Sequence, residues 1–270
     1  GIYIKDSKNI HITGTGDSKI FYGIEVKNSG ISIVGRSEGT EIDHVEVYGT
    51  HLGIYGRHTA GHRSHIHHNY IHDIGHECIY IGSSHWKKKK EDIHSVKIHH
   101  NRVENCRYDG IQLGSCRKGC KVHHNYIKNI GTSKSRGGKN NKGNGGHGLV
   151  LNFGSSGSWT NNVTINTKQN GMVIQGNTSK ESYKIKQNVF VNSNSKGLVL
   201  WSGKGKVCNN VIVKSAVEAN KDIVKCNTFT KSGKNVGYTD LAKMKNGNNL
   251  SRFWKKQGWS KSDVRAVFGR

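Results

Sequence analysis

The chain repeats one short sequence word at irregular intervals over most of its length. The word is an apolar residue, two variable residues, Asn, one variable residue and a second apolar residue, as in I-H-H-N-Y-I at 66–71. A copy at 42–47, I-D-H-V-E-V, lacks the Asn. A repeat of this kind indicates one small structural unit per copy, whose apolar side is buried only by stacking on its neighbours. The repeated Asn forms a column: Asn69, Asn101, Asn125, Asn162, Asn188, Asn210 and Asn227.

A second word, Gly followed by alternating apolar residues, comes after each first word. Examples are G-I-E-V at 23–26, G-I-Q-L-G at 110–114 and G-L-V-L at 197–200. Both words alternate with the period of a strand, and Gly, Asn, Ser and Asp separate them. We therefore predict an all-β fold, a single-stranded right-handed parallel β-helix (solenoid) over residues 1–235. The column Asn should occupy a left-handed or bridge bend and bond the same amide one rung away.

Composition agrees with a fold made almost entirely of ladders. The 270 residues include no Pro, which cannot donate to a ladder and is excluded from central strands. Hydrophobic residues make up 33% of the chain, and no stretch approaches the roughly 20 apolar residues of a membrane span.

Residues 236–270 differ from the repeats. Apolar residues such as Trp254 and Trp259 stand there among Lys and Arg, and Ser260 and Asp263 have the spacing of a helix capping box. This segment predicts a short helical C-terminal cap over the open end of the solenoid. A basic amphipathic binding segment is the alternative.

The six cysteines bear on whether the protein is intracellular or extracellular. Cys116 and Cys120 form the one close pair, and an extracellular chain would join them in a disulfide. For Cys78, Cys208 and Cys226, packing in the core as free thiols is the default interpretation, and the sequence does not determine the disulfide state of the six cysteines. The spacing does not match a zinc knuckle.

Several segments resemble a known superfamily. They are G-T-G-D-S at 14–18, N-Y-I-H-D-I-G-H-E-C-I-Y-I-G-S-S at 69–84 and Y-D-G-I-Q-L-G at 108–114. They are similar to the right-handed parallel β-helix superfamily of pectate-lyase-like and polygalacturonase-like proteins, and more narrowly to bacterial extracellular β-helix-repeat proteins, over about residues 1–230. G-H-G at 146–148 is similar to a polygalacturonase word, whereas 170–176 lacks the Arg and Lys of the R-I-K word. The resemblance implies action on a polysaccharide, outside the cell or at its surface.

The residue before each second word forms the column with the most chemical potential. Glu77, Asp109 and His147 fall there on three successive rungs, about 5 Å apart. Neighbouring carboxyls push their pKa values apart, as glycoside hydrolysis requires. We predict these three as catalytic; the alternative is that Glu77 and Asp109 only bond turn amides. We also predict substrate-binding residues. The columns on either side of the carboxyls supply His76, Tyr80, Tyr108 and Gln112, the same column supplies Lys196 on a later rung, and the insertion at 83–92 supplies Lys87 and Lys88.

Charge suggests the partner. Lys and Arg total 42 against 18 Asp and Glu, a net +24, which favours an anionic polysaccharide; few aromatics lie among the lysines, which disfavours nucleic acid. No cofactor is assigned. A stacked His67, His99 and His123 column beside Asp43 offers donors for a divalent metal, and acidic residues are few for Ca²⁺.

The predicted function is that of a carbohydrate-active β-helix protein acting on an acidic polysaccharide by glycosidic hydrolysis or β-elimination. In β-elimination, Lys196, Arg107 or the His76 and Tyr108 pair would supply the base. The alternative is a non-catalytic extracellular β-helix with a binding or structural role, such as an adhesin, a spike, or a subunit of an end-to-end filament.

Overall fold

The chain forms a parallel β-helix. The computed structural model describes residues 1–15, 21–84, 92–131, 145–175, 182–201, 204–216, 225–244 and 250–269. Within these ranges three long sheets, of eight, eight and nine strands, are parallel throughout, and the chain visits them in turn. One strand from each sheet makes one rung, so the predicted fold class is confirmed.

The strands of the three sheets have the following bounds. Sheet 1 contains β1 (Ile2–Lys5), β4 (Ile31–Val34), β7 (Ile54–Arg57), β10 (Ile79–Gly82), β14 (Ile111–Gly114), β18 (Leu149–Leu151), β21 (Met172–Ile174) and β24 (Leu198–Leu200). Sheet 2 contains β2 (His11–Thr13), β5 (Glu41–Asp43), β8 (His65–His67), β12 (Lys97–His99), β16 (Lys121–His123), β19 (Gly157–Thr160), β22 (Ser182–Lys186) and β25 (Lys204–Cys208). Sheet 3 contains β3 (Ile24–Lys27), β6 (Val45–Tyr48), β9 (Tyr70–Ile74), β13 (Arg102–Cys106), β17 (Tyr126–Ile130), β20 (Val163–Thr167), β23 (Val189–Ser193), β26 (Val211–Val213) and β27 (Thr228–Thr230).

Shorter elements complete the described chain. β11 (Ile93–His94) and β15 (Cys116–Lys118) pair beside the main sheets. Short 3-10 turns cover His58–Gly61, Gly233–Val236 and Leu241–Lys243, and two α-helices follow, α1 (Arg252–Lys256) and α2 (Lys261–Phe268).

Apolar columns fill the interior of the β-helix. The central residue of each sheet 2 strand points inward and stacks in register on the next, so that every rung adds one apolar layer. Isolated rungs have no second face for these side chains, and burial of the whole column stabilises the stack. Members of this column are Ile42, Ile66, Ile98, Val122, Trp159, Ile185 and Val207.

The predicted asparagine ladder is present at the turn from sheet 2 to sheet 3. From Asn69 to Asn227, each side-chain amide donates to the carboxamide oxygen of the next rung, at 2.8–3.1 Å. The expected backbone conformation is wrong by one position, because the residue before the Asn takes the left-handed conformation. His68, for example, has φ 57° and Gln187 has φ 56°. The ladder Asn is thereby left free to aim its amide along the axis.

A second polar ladder runs along the turn from sheet 3 to sheet 1, four residues after each ladder Asn. Asn105 donates to Asp73 at 3.0 Å, and Asn129, Asn166 and Asn192 continue the chain at 2.8–3.2 Å. All five residues have φ between 54° and 57°, in the left-handed region that Asn and Asp tolerate.

Two sequence predictions are corrected by the strand pairing and the cysteines. G-I-E-V at 23–26 forms β3, which pairs with β6 in sheet 3, so Tyr22 does not precede a sheet 1 strand; Ser29 stands in that column instead. All six cysteines are paired, as Cys78–Cys106, Cys116–Cys120 and Cys208–Cys226, with Cα separations of 5.7, 6.3 and 5.0 Å. The free-thiol interpretation is therefore wrong.

The C-terminal helices lie against the side of the β-helix. The capping box is present, since Ser260 accepts from the Asp263 amide and the Asp263 carboxylate accepts from the Ser260 amide. The buried apolar residues of the C-terminal helices contact the outer face of sheet 3, around Tyr126 and Val189. The segment runs back along the axis: its carbonyls accept from Gln187, then Asn161, and finally from Tyr22 near the first rung. The predicted short C-terminal helical segment is thus confirmed. It braces many rungs from the side, and the expected position over the open end is wrong.

Candidate active site

The turn that enters sheet 1 places Glu77, Asp109 and His147 on three successive rungs. The amide of Cys78 donates to the carbonyl of Asp109 at 3.1 Å, and the amide of Gly110 donates to that of His147 at 3.0 Å. The register therefore continues across the insertion that precedes His147. Leu52 stands one rung earlier, and Asn170 and Lys196 follow.

The two carboxyls are almost completely buried, with Glu77 6% and Asp109 4% exposed. Oδ1 of Asp109 accepts from the amides of Gly146 and His147, both at 2.9 Å. Burial raises the pKa of Asp109 to about 7, against the lowering effect of these two amides. Asp109 is therefore a carboxyl that holds a proton close to neutral pH.

Glu77 is paired with an imidazole from its own turn. Its Oε2 contacts Nδ1 of His76, and this bond raises the pKa of His76 against the opposing effect of burial. The His76 ring stacks on Tyr108 of the next rung, with centroids 4.5 Å apart and planes 13° apart. The stack places two aromatic rings, one of them an imidazole, beside the carboxyl pair.

Glycines fix the backbone around Tyr108 and Asp109. A Cβ on Gly145 would lie 2.3 Å from the Tyr108 ring, so only Gly lets the ring pack there. Gly146 has φ 107°, a conformation that other residues rarely adopt, and it turns its amide toward Asp109. Gly145 and Gly146 are thus required locally by the site geometry.

A groove of about 620 Å³ opens over the outer face of sheet 1, within the usual size range of ligand sites. Its wall contains both carboxyls and several aromatic rings. Tyr55 and Tyr80 meet edge to face at 5.6 Å, and the Tyr80 hydroxyl accepts from the amide of Ser84 at 3.1 Å. Trp201 is 56% exposed at one side of the groove.

Six predicted site residues line this groove: His76, Glu77, Tyr80, Tyr108, Asp109 and Gln112. His147 contributes its backbone amide, while its ring accepts from the Asn170 side chain at 3.2 Å. Lys196 lies two rungs beyond His147, where its amide donates to Asn170. Lys87 and Lys88 lie outside the described residues.

The groove also contains residues that the sequence analysis missed. Tyr55 and Arg57 come from β7, one rung before Tyr80, and Trp201 directly follows β24. Tyr55 was accessible to prediction, because it stands in the same column of the second word as Tyr80 and Gln112. No such signal marks Trp201, because several rungs separate β24, which it follows, from the strand of Tyr80.

The histidine column on sheet 2 is a stack of rings. His67, His99 and His123 lie 5.0 and 4.8 Å apart with planes within 8° of one another. Burial, with the neighbouring imidazoles, lowers the pKa of His99 and lowers that of His123 to about 4, so both are neutral at pH 7. Rings stacked face to face do not aim their nitrogens at one point, and this column by itself forms no ligand set.

Comparison of the chain with family models, curated proteins and solved structures finds no match. No helix within the described ranges is long and apolar enough to cross a membrane.

Proposed function

We propose that the protein is a carbohydrate-active enzyme that cleaves an acidic polysaccharide in the groove over sheet 1, as its resemblance to pectate-lyase-like and polygalacturonase-like proteins suggests. The supporting observation is the pair of buried carboxyls on neighbouring rungs, Glu77 and Asp109, in the wall of an open groove lined by aromatic rings. The three disulfides agree with an extracellular or cell-surface location.

The two carboxyls differ in the way that glycosidic hydrolysis needs. Asp109, with its pKa raised to about 7, donates its proton to the oxygen of the departing sugar. Glu77, beside His76, stabilises the positive charge that develops on the sugar ring or attacks it. A rung spacing of about 4.8 Å is nearer to the 5–5.5 Å carboxyl separation of retaining enzymes than to the 6.5–9.5 Å of inverting ones.

Other groups would hold the polymer. Trp201, which is 56% exposed, offers a face for a sugar ring, and Tyr80 and Tyr108 line the groove beside the carboxyls. Arg57 supplies positive charge for the uronate carboxylates, and His76, whose pKa is raised by its bond to Glu77, lies in the same wall. His147 acts as a positioning residue, because its backbone amide bonds the Asp109 carboxyl.

The experiment is digestion of polygalacturonate, with release of reducing ends as the measure of cleavage and ultraviolet absorbance as the measure of unsaturated uronate. Glu77→Gln and Asp109→Asn should abolish cleavage yet retain the polymer, since Asn keeps the oxygen that accepts the turn amides. Asp73→Asn is the matched control, because it puts into the outer ladder the residue found on the following rungs. Unsaturated product would assign elimination. If acidic polymers are bound and not cut, the enzymatic proposal fails.

A second candidate, non-catalytic polyanion binding, is favoured by a lysine column on sheet 2. Lys97, Lys121, Lys184 and Lys206 occupy one exposed register column, interrupted by Ser158. Charges repeated at the rung spacing suit an extended anionic chain. Under this function, Lys121→Glu with Lys184→Glu should weaken polymer binding, whereas the Glu77 and Asp109 substitutions should leave binding unchanged and no cleavage should be measurable.

A further inference from the structure

A compact group of metal-ligating side chains lies on the outer face of sheet 2, separate from the groove. His65 and His67 are alternate residues of β8 and point to the same side, with ring centroids 4.0 Å apart. Glu41 of β5 pairs with His65 in register. Oε1 of Glu41 lies 2.8 Å from Nε2 of His67 and 3.1 Å from Nδ1 of His65.

We propose that Glu41, His65 and His67 bind a divalent first-row transition metal ion, for which zinc is the convenient probe. Their three ligand atoms lie within 4.8 Å of one another, close enough to converge on one ion. Two imidazole nitrogens with one carboxylate oxygen form a set that zinc and its neighbours accept, whereas calcium and magnesium require oxygen ligands. The three side chains are 37%, 29% and 12% exposed for Glu41, His65 and His67, so an ion can reach them and keep a solvent ligand.

The surrounding groups orient the two imidazoles. Nδ1 of His67 lies 2.7 Å from Nδ1 of His68, which leaves Nε2 for the metal. Nε2 of His65 lies 2.7 Å from Nε2 of His99, which leaves Nδ1. Each ring therefore offers one nitrogen to the common point and has its other nitrogen beside a partner, the arrangement that holds metal-binding histidines in position.

A buried carboxylate adds negative charge beside this group. Asp43 is 4% exposed, and its Oδ2 lies 4.0 Å from Nε2 of His67. Thr13 donates to Oδ1 of Asp43 at 2.6 Å, which fixes the carboxylate in place. On the following rungs the register column of Glu41 and His65 continues with Lys97 and Lys121, whose charges repel a cation, so the site is confined to these rungs.

Another cluster, of His100, His124 and Asp263, is occupied by structural bonds. Asp263 belongs to the capping box of α2, and Nε2 of His124 lies 3.0 Å from the carbonyl of Gly258. It serves to attach the C-terminal brace, and it is not proposed as a metal site.

Calorimetric titration of the chelator-treated full chain with zinc chloride at neutral pH tests the proposal. The doubly substituted His65→Gln, His67→Gln chain should lose one equivalent of bound zinc, and Glu41→Gln should weaken it by about tenfold or more. His123→Gln is the control, because it removes a stacked imidazole two rungs away and should keep the wild-type stoichiometry.

Co²⁺ absorption gives a second measurement. Wild type and His123→Gln should give the visible bands of a nitrogen and oxygen site, and Glu41→Gln, the mildest substitution, keeps the test informative if the double variant does not fold. The proposal is overturned if wild type binds no zinc, or if Glu41→Gln and the double variant bind it with wild-type affinity and number.

Discussion

Replacing one buried ladder residue, Asn125→Ala, tests what holds the rungs together. Asn125 is fully buried. Its Oδ1 accepts from the amide nitrogen of Asn101 at 3.1 Å and from the Asn101 side chain at 3.0 Å. Its Nδ2 donates to the Ile98 carbonyl at 3.0 Å and to the Asn162 side chain at 2.9 Å. Nδ2 also donates to the His123 carbonyl at 3.1 Å. Alanine removes all five bonds.

The five losses are not equal. The Asn101 side chain keeps its bond to the Ile66 carbonyl, and the Asn162 oxygen keeps the Asn125 amide. The Asn101 backbone amide loses its acceptor inside the fold, at a cost of about 1–3 kcal/mol. The other bonds together contribute about 2 kcal/mol, because the two hydrogens of Nδ2 are shared among three acceptors. We therefore expect the free energy of unfolding to fall by about 3–5 kcal/mol, a large part of the usual 5–15 kcal/mol.

Urea unfolding followed by circular dichroism measures this loss. Asn194→Ala is the matched control, because Asn194 is an exposed turn residue outside both ladders, and its substitution should change stability by no more than about 0.5 kcal/mol. If Asn125→Ala lowers the free energy of unfolding by no more than the control does, the argument that the ladder bonds hold the rungs is refuted.

Two further predictions concern pH and the C-terminal brace. Folding raises the pKa of Asp109 from 3.8 to about 7. The contribution of Asp109 to the free energy of unfolding is therefore complete below the unfolded pKa, and it is lost as pH rises toward 7, by an amount on the order of 4 kcal/mol. The difference in urea midpoint between wild type and Asp109→Asn should show this slope, and parallel pH curves would contradict it. Trp254→Ala removes a fully buried ring that contacts Trp259 and should lower the free energy of unfolding by about 3–5 kcal/mol. Trp201→Ala, in contrast, should change the free energy of unfolding by no more than about 0.5 kcal/mol and should weaken polymer retention. Equal effects of the two substitutions on stability would refute the assignment of Trp254 to the brace.

The repeat made the rungs predictable because each buried column demands one residue type at one register. The Asn ladder and the alignment of Glu77 with Asp109 follow from that demand. Strands of sheets 1 and 3 share the same alternation, so the pattern does not distinguish G-I-E-V at 23–26, which forms β3 of sheet 3, from the copies that enter sheet 1. Cysteine pairing depends on turn geometry within a rung, which spacing alone does not determine.

Interactions that cross many rungs were not predicted. The capping box gave the start of α2, but an amphipathic helix carries no record of which apolar surface it covers. The outer face of sheet 3 around Val163 and Val189 is apolar, and this pattern was the signal for lateral packing. Likewise, Arg57 and Trp201 enter the groove from β7 and from the end of β24, on rungs that sequence proximity does not connect.

A structural role alone does not explain why Asp109 is an acid. Asn170 stands in the same column two rungs later, and its Oδ1 accepts from the amide of Lys196 at 3.1 Å, the kind of turn bond that Asp109 makes with His147. An amide oxygen is therefore sufficient for that bond, and it avoids the cost of burying a carboxylate. Because burial raises the pKa of Asp109 to about 7, the two turn amides that Asp109 accepts from do not offset the cost of burying its carboxylate. A carboxyl in a position where Asn would serve the turn, beside Glu77 and in the wall of a groove, is what the proposed acid role of Asp109 requires.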